Sequence, residues 1–239
     1  MAISGLPDYA VRRQRPGAAL ALALVTMLAL AAIAASFIAY VLWPRWPGPS
    51  IGPDAPALPI TIAGTAFNVP PAAMRIPLQR RAGAHERVDL AFLWPSLEPP
   101  AVAARAPGAA APQVIDRLFV TIASAGDTLP PAERARTIYP RYVTADAETE
   151  PNGLAVRAFR TGTPYQGEDL IHGAAAPEGF LVRCSRDSAG PTPGICLYNR
   201  RIDHADIVVR FPRAWLSDWR DVEAGIERLI EGLRPHGGS

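Results

Sequence analysis

Residues 18–42 read AALALALVTMLALAAIAASFIAYVL and contain no charged side chain. A helix of this length measures about 37 Å and can cross a hydrocarbon core of about 30 Å with some tilt. Tyr40, Trp43 and Trp46 lie at its C-terminal end, and aromatic residues are enriched at membrane interfaces. The sequence therefore predicts one transmembrane helix, over residues 18–43, that contacts the lipid bilayer.

A cleaved signal peptide is the main alternative for an apolar segment this close to the N-terminus. The apolar region of a signal peptide usually spans about 7–15 residues, and the uncharged stretch here is longer. Ala32-Ile33-Ala34 has the small residues of a peptidase site but lies inside the apolar run. We therefore favour an uncleaved, single-pass anchor.

The arginines around this segment predict its orientation. Arg12, Arg13 and Arg15 precede it closely, whereas only Arg45 follows it closely. Positive charge is enriched on the cytoplasmic side of membrane helices. The sequence therefore predicts a cytoplasmic tail over residues 1–17 and a soluble domain in the periplasm, anchored in the inner membrane of a Gram-negative cell.

The charge balance limits the partners of that domain. The formal net charge of the chain is +2, and the tail accounts for it with three arginines and Asp8. A formally neutral domain argues against nucleic acid as its partner. Ala31, Ala35 and Ala39 form a stripe that would let two helices pack, but such a stripe arises easily in an alanine-rich segment and does not support a homo-oligomer.

Proline-rich stretches divide the chain beyond the membrane. Residues 44–59 hold six prolines and predict a stiff, extended spacer. The domain follows over residues 60–235, and 236–239 form a short tail. Residues 95–113 are rich in proline and alanine, which predicts a loop within the domain or a boundary between two subdomains.

The domain alternates short strand-like runs with turn residues, which predicts an α+β fold: one antiparallel sheet covered by about two helices. A short helix is expected to end near Tyr139, and a longer one to span residues 212–233. The longer helix carries one apolar stripe that would pack on the sheet: Trp215, Trp219, Val222, Ile226, Leu229 and Leu233. Strands are expected at 58–63, 66–69, 87–94, 114–124, 154–159, 168–172, 180–185, 195–200 and 206–211.

Cys184 and Cys196 are the only cysteines, and each lies in a predicted strand. The residues between them are rich in glycine and proline, so a hairpin would bring the two strands alongside each other. Cross-strand neighbours are close enough for a disulfide, which an oxidising compartment would form. A redox pair is usually C-x-x-C at a helix start, and a metal site would need further ligands. We therefore predict a structural disulfide.

Three polar clusters are weak candidates for chemistry. His85-Glu86-Arg87-Val88-Asp89 resembles the zinc-protease motif H-E-x-x-H, but it lacks the second histidine and enters a strand rather than a helix. His204 and Asp206 would face the same side of a strand, where the carboxylate could orient the imidazole as a general base. Glu168 and Asp169 are adjacent and would face opposite sides. We therefore predict no metal and no cofactor.

Three stretches resemble uncharacterised single-pass, membrane-anchored proteins of alphaproteobacteria. They are IPLQRRAGAHERVDLAFLWPSLEP over 76–99, PAERARTIYPRY over 131–142 and GTPYQGEDLIH over 162–172. No activity is established for such proteins. The resemblance implies the same topology and carries over no catalytic residue.

Two functional hypotheses follow. The first is a non-enzymatic module of the cell envelope that binds another envelope protein or a surface component, because an anchor, a spacer and a disulfide-bonded domain occur together without a recognisable catalytic set. The alternative is a membrane-tethered periplasmic hydrolase that uses His204, Asp206 or Glu168. A deep pocket that holds these residues would favour the hydrolase.

Overall fold

The structure is a computed structural model. In it the chain forms two compact units, Met1–Gly48 and Pro49–Ser239. It describes residues 16–42, 52, 54–100, 115–176, 179–186 and 193–235. Several predicted segments lie wholly or largely outside these residues: the cytoplasmic tail, the spacer up to residue 53, the centre of the 95–113 loop, the turn between the two cysteines and the tail 236–239.

The described part of the first unit, residues 16–42, forms helix α1 over Pro16–Leu42. Its segment Leu20–Val41 is long and apolar enough to cross a membrane, as membrane anchors and signal sequences both are. Every side chain described in that segment is exposed. The predicted apolar helix is therefore confirmed, with bounds close to the expected 18–43.

The second unit is an α+β domain, as predicted. Two α-helices occur in its described part: α2 over Pro131–Thr137 and α3 over Trp219–Gly232. The strands are β1 Leu58–Ile62, β2 Thr65–Val69, β3 Gly83–Ala84, β4 Arg87–Leu93, β5 Arg117–Ser124, β6 Glu148–Thr149, β7 Leu154–Ala158, β8 Glu168–Gly173, β9 Leu181–Ser185, β10 Ile195–Ile202 and β11 Ala205–Pro212.

These strands form two sheets. The larger one is antiparallel throughout and has the order β4-β5-β11-β10-β9-β8-β7-β6. The smaller one has the order β2-β1-β3, with β1 antiparallel to β2 and parallel to β3. The predicted meander of consecutive strands is confirmed as β7 to β11, and the two-residue strand β6 extends it. Strands β1 and β2 were predicted, but their separate sheet with β3 was not, because β3 has only two residues and little sequence pattern of its own.

The large sheet has one apolar face and one arginine-bearing face. Directly paired residues share a face, and one such row is almost entirely buried: Val156, Ile171, Val182, Tyr198, Val209, Val120 and Leu90. The neighbouring row points to the opposite side and alternates basic with apolar residues: Arg157, Leu170, Arg183, Leu197, Arg210 and Phe119. The first row packs into the main core and the second faces outward.

Helix α3 covers the apolar face. Its stripe is buried as predicted, with Val222, Ile226 and Leu229 in the main core. Trp219 packs against Phe180 at 5.2 Å between ring centroids. The predicted helix start was wrong in one respect: Arg213–Asp218 forms a 3-10 helix before the α-helix begins. Arg213 forms an ion pair with Asp169, and Trp215 stacks on Trp94. These tertiary contacts hold the 3-10 segment in place.

At Gly225, α3 packs directly against the Trp94 indole. A Cβ atom placed there would lie 2.5 Å from Cζ3 and 2.9 Å from Cη2 of Trp94. The Trp94 ring is itself stacked on Trp215, with 5.2 Å between centroids. The helix can therefore reach the two indoles only because this residue has no side chain.

We expect Gly225→Ala to lower the free energy of unfolding by about 1–3 kcal/mol, since overpacking a filled core forces neighbours to shift. This is the reverse of the usual gain of roughly 0.5–1 kcal/mol for glycine to alanine within a helix. Gly232→Ala is the matched control, because nothing lies within 4 Å of its Cβ position. Urea unfolding of both variants would show opposite signs; a stabilised Gly225→Ala protein would contradict the tight contact.

The disulfide predicted from the hairpin is present between Cys184 and Cys196. The two residues are directly opposite each other on β9 and β10, and both are fully buried. Asp169 lies directly opposite Cys184 on the next strand, β8. Its buried carboxylate accepts hydrogen bonds from Arg186 at 2.8 Å and from Arg213 at 2.7 Å. This ion triad joins β8 to the segment after β9 and to the entrance of the C-terminal helices.

Candidate functional site

A groove of about 730 Å³ lies between α2 and the outward face of strands β7 to β10. Pro131, Ala132 and Ala135 contribute to the wall on the α2 side, and the partly buried Leu181 contributes apolar surface from the sheet. Such a volume suits a side-chain cluster of a protein partner or a medium-sized ligand. We call it the arginine groove because five arginines line it: Arg136, Arg157, Arg183, Arg200 and Arg201. Arg200 lies at its margin, because its side chain belongs to the sheet face that α3 covers.

An aromatic cluster adjoins the arginine groove through Tyr139, which lines it. The Tyr139 ring meets Phe159 at 5.8 Å and Tyr165 at 5.4 Å between centroids. The Arg183 guanidinium lies 4.7 Å from the centroid of Tyr165 and 5.8 Å from that of Tyr139. Glu168 is 3.2 Å from Arg183, an ion-pair contact without hydrogen-bond geometry. Cation–π and ionic contacts therefore hold this arginine in a fixed position.

Burial favours the neutral phenol of Tyr139 in this cluster. It raises the pKa of the Tyr139 phenol above its ordinary value, although the charges of Arg183 and Arg134 lower it in part. The hydroxyl therefore stays protonated over the physiological range. A protonated phenol next to guanidinium groups presents a hydrogen-bond donor and no negative charge.

The arginine groove carries more positive than negative charge. None of the described residues that line it is Asp or Glu. Three of its arginines bind carboxylates that lie outside the lining: Arg183 binds Glu168, Arg201 binds Asp206 at 2.6 Å, and Arg200 binds Glu227 at 3.4 Å.

The other two arginines have no such partner in the part of the chain that the structure describes. Arg157 donates twice to the Thr144 carbonyl oxygen, at 3.1 and 2.6 Å, and so neutralises no charge. Arg136 is exposed on α2 and forms no ion pair with a described residue. A complementary ligand would therefore bring negative charge.

The residues of the hydrolase hypothesis are not assembled into a catalytic set. Asp203 and His204 form the two-residue turn between β10 and β11, so the expectation that His204 lies on a strand beside Asp206 was wrong. His204 is exposed, and its backbone N–H donates to Thr65 Oγ1 at 3.4 Å. Asp206 is bound by Arg201 and by the Thr128 hydroxyl. Glu168 and Asp169 do face opposite sides of β8, each bound to different arginines.

The cluster that resembles a zinc-protease motif is organised around an ion pair. Arg87 opens strand β4 and binds Asp89 through two of its nitrogens, at 2.9 and 2.7 Å. The Thr121 hydroxyl also donates to that carboxylate, at 2.9 Å. Burial raises the pKa of Asp89, but these hydrogen bonds and the Arg87 charge outweigh it, so the pKa is lower than usual. Among the described residues, no group of three or more His, Cys, Asp or Glu is placed to hold a metal ion.

The sequence does contain a signal for the arginine groove that was missed. Arg157, Arg183 and Arg201 occupy polar positions of strands whose alternate residues are apolar and buried. Taken alone, each arginine is what the alternating pattern predicts for the solvent-facing side of a half-buried strand. Only the strand order brings them to one place.

Comparisons with known proteins show the fold and nothing finer. No protein-family model matches the chain, and no curated protein matches it significantly. Among solved structures, it is similar to Smlt3025, an immunity protein of the Stenotrophomonas maltophilia type IV secretion system: the TM-score is 0.53 and the identity 15%, over 76% of this chain and 94% of that one. The iron-regulated outer membrane lipoprotein FrpD of Neisseria meningitidis matches at a TM-score of 0.40 and 10% identity, over 76% and 96%. At this identity the first likeness identifies the α+β fold alone.

Proposed function

We propose that this chain is a single-pass inner-membrane protein whose periplasmic domain is a non-enzymatic module that binds an acidic segment of another envelope protein. The observation that carries the proposal is the arginine groove, where Arg136 and Arg157 have no carboxylate partner among the described residues. Apolar surface from Pro131 and Leu181, which are only partly buried, lies beside this positive charge. An acidic segment with apolar residues would match both properties.

Two further observations support binding over catalysis. The polar residues around the arginine groove hold one another: Glu168, Asp206 and Glu227 each bind an arginine and are not left as a free acid or base. The same fold occurs in an immunity protein of a bacterial secretion system, which is consistent with a role in binding.

The membrane location rests on α1 and on the disulfide. The apolar helix is long enough to be an anchor, and arginines flank it on the side expected to be cytoplasmic. The Cys184–Cys196 bond fits an oxidising compartment such as the periplasm.

Photocrosslinking in intact cells tests the binding site. A photoreactive phenylalanine at Ala132, which is exposed on α2 beside the groove, is expected to capture a partner protein. The matched control is the same probe at Ala224, which is also exposed but lies on α3 and does not line the groove. Mass spectrometry of the adduct should place the crosslink within or next to a run of Asp and Glu residues.

A charge reversal then tests the electrostatic part. Arg136→Glu is expected to reduce the Ala132 adduct about tenfold, since a charge-assisted hydrogen bond contributes about 1.5 kcal/mol. Arg228→Glu, on the exposed side of α3, should leave the adduct unchanged. An adduct that survives Arg136→Glu would contradict an acidic partner. Loss of cellular function in His204→Ala, with the adduct intact, would favour the hydrolase instead.

A further inference from the structure

The segment Arg75–Arg81, RIPLQRR, presents apolar side chains to water. In the described part of Pro49–Ser239, three large hydrophobic side chains are exposed, and two of them lie in this segment: Ile76 at 41% and Leu78 at 80%. Single exposed apolar residues are ordinary on a soluble surface. Two at the tip of one turn, with proline between them, form a small apolar knob.

The base of this turn is held firmly against strand β4. The Arg75 backbone N–H donates to the Asp89 carbonyl oxygen at 2.9 Å, and the Asp89 N–H donates to Gln79 Oε1 at 2.9 Å. The Arg80 guanidinium donates twice to the Met74 carbonyl oxygen, at 3.0 and 3.2 Å. Pro77–Gln79 forms a 3-10 turn between these contacts. The apolar tip is therefore held outward by its base.

Positive charge surrounds the tip. Arg75, Arg80 and Arg81 lie within the segment, and residues 74–85 contain no Asp or Glu. The Arg75 guanidinium lies over the Phe119 ring at 4.7 Å, a contact that leaves its charge uncompensated. The nearest acidic residues in sequence are Glu86 and Asp89, and Asp89 is already bound to Arg87.

We infer that this turn docks on a bilayer surface, with Leu78 and Ile76 inserted among the acyl chains near the headgroups and the arginines bound to anionic phospholipid. Apolar residues flanked by basic ones are the composition by which proteins bind anionic membrane interfaces. The inference is independent of the arginine groove, which lies on α2 and strands β7 to β10 and uses none of these residues.

A fluorophore at Leu78→Cys tests the insertion. The two natural cysteines are bonded to each other, so the new thiol is the only one that an environment-sensitive probe such as nitrobenzoxadiazole will label. The full chain is reconstituted into nanodiscs of phosphatidylcholine, with or without phosphatidylglycerol. We expect blue-shifted emission, quenched by doxyl-labelled lipid, only in the discs that contain phosphatidylglycerol.

Two comparisons make the result decisive. The same probe at Leu129→Cys, the third exposed hydrophobic residue at 41%, should report water in both kinds of disc. Arg75→Gln with Arg81→Gln should lower the ratio of inserted to free probe roughly 25-fold, at about fivefold for each arginine near an anionic surface. Quenching that is equal at the two positions, equal with and without anionic lipid, or absent at Leu78 would overturn the inference.

Discussion

Asp169→Asn is expected to lower the free energy of unfolding by about 3 kcal/mol. The buried carboxylate lies between Arg186 and Arg213, so its neutralisation leaves two guanidinium groups without their counter-charge. Removing one partner of a buried ion pair costs about 3–5 kcal/mol. The lower end applies here because the Arg186 side chain is 44% exposed and regains part of its hydration.

The measurement is the urea midpoint of the purified protein, and the matched control is Asp116→Asn. Asp116 forms an ion pair with Arg117, but both side chains are largely exposed. Exposed ion pairs contribute about 0–1 kcal/mol. Equal effects of the two substitutions would show that the ion triad does not stabilise the domain.

Removing the disulfide should destabilise the domain by a similar amount. The bond closes a loop with a sequence separation of 12, and the loop-closure entropy that it removes from the unfolded chain corresponds to about 3 kcal/mol. We expect Cys184→Ala with Cys196→Ala, and reduced wild-type protein, to unfold at similarly lower urea concentrations. A midpoint unchanged by reduction would mean that the hairpin is fully determined by its other contacts.

Thiol alkylation tests the compartment that this bond implies. Denatured protein taken from the cell envelope without reductant should be labelled at neither cysteine. Full labelling of both would remove the support that the disulfide gives to a periplasmic domain.

Much of the local structure was predictable from the sequence, because it depends on neighbouring residues. The strands of the C-terminal meander were found from their alternation, and the disulfide from the turn residues between Cys184 and Cys196. The stripe on α3 was found from its helical spacing. In each case the deciding contacts lie within a hairpin or within one element.

The rest depends on contacts between distant segments. Nothing in the local pattern places β5 beside β11, or gives β1 a parallel partner in β3. The arginine groove was missed for the same reason, since Arg136, Arg157 and Arg201 come together only through the order of the strands and the position of α2. The packing of Gly225 could not be predicted either, because the Trp94 indole that it contacts comes from a distant part of the chain. The orientation of the chain in a membrane stays a prediction.

The position of β11 has a consequence for how the domain assembles during synthesis. Strands β4 and β5 form one hairpin and β6 to β10 form a continuous meander, but the pairing of β5 with β11 alone joins them into a single sheet. Its partners, such as Ser124 and Ala205, are about 80 positions apart in the chain. An emerging chain therefore carries two half-sheets with unpaired edges until its last strand arrives, and unpaired edges favour aggregation. Strand β11 therefore completes the sheet. A chain that ends before residue 205 can form both half-sheets but lacks the strand that pairs with β5 and β10.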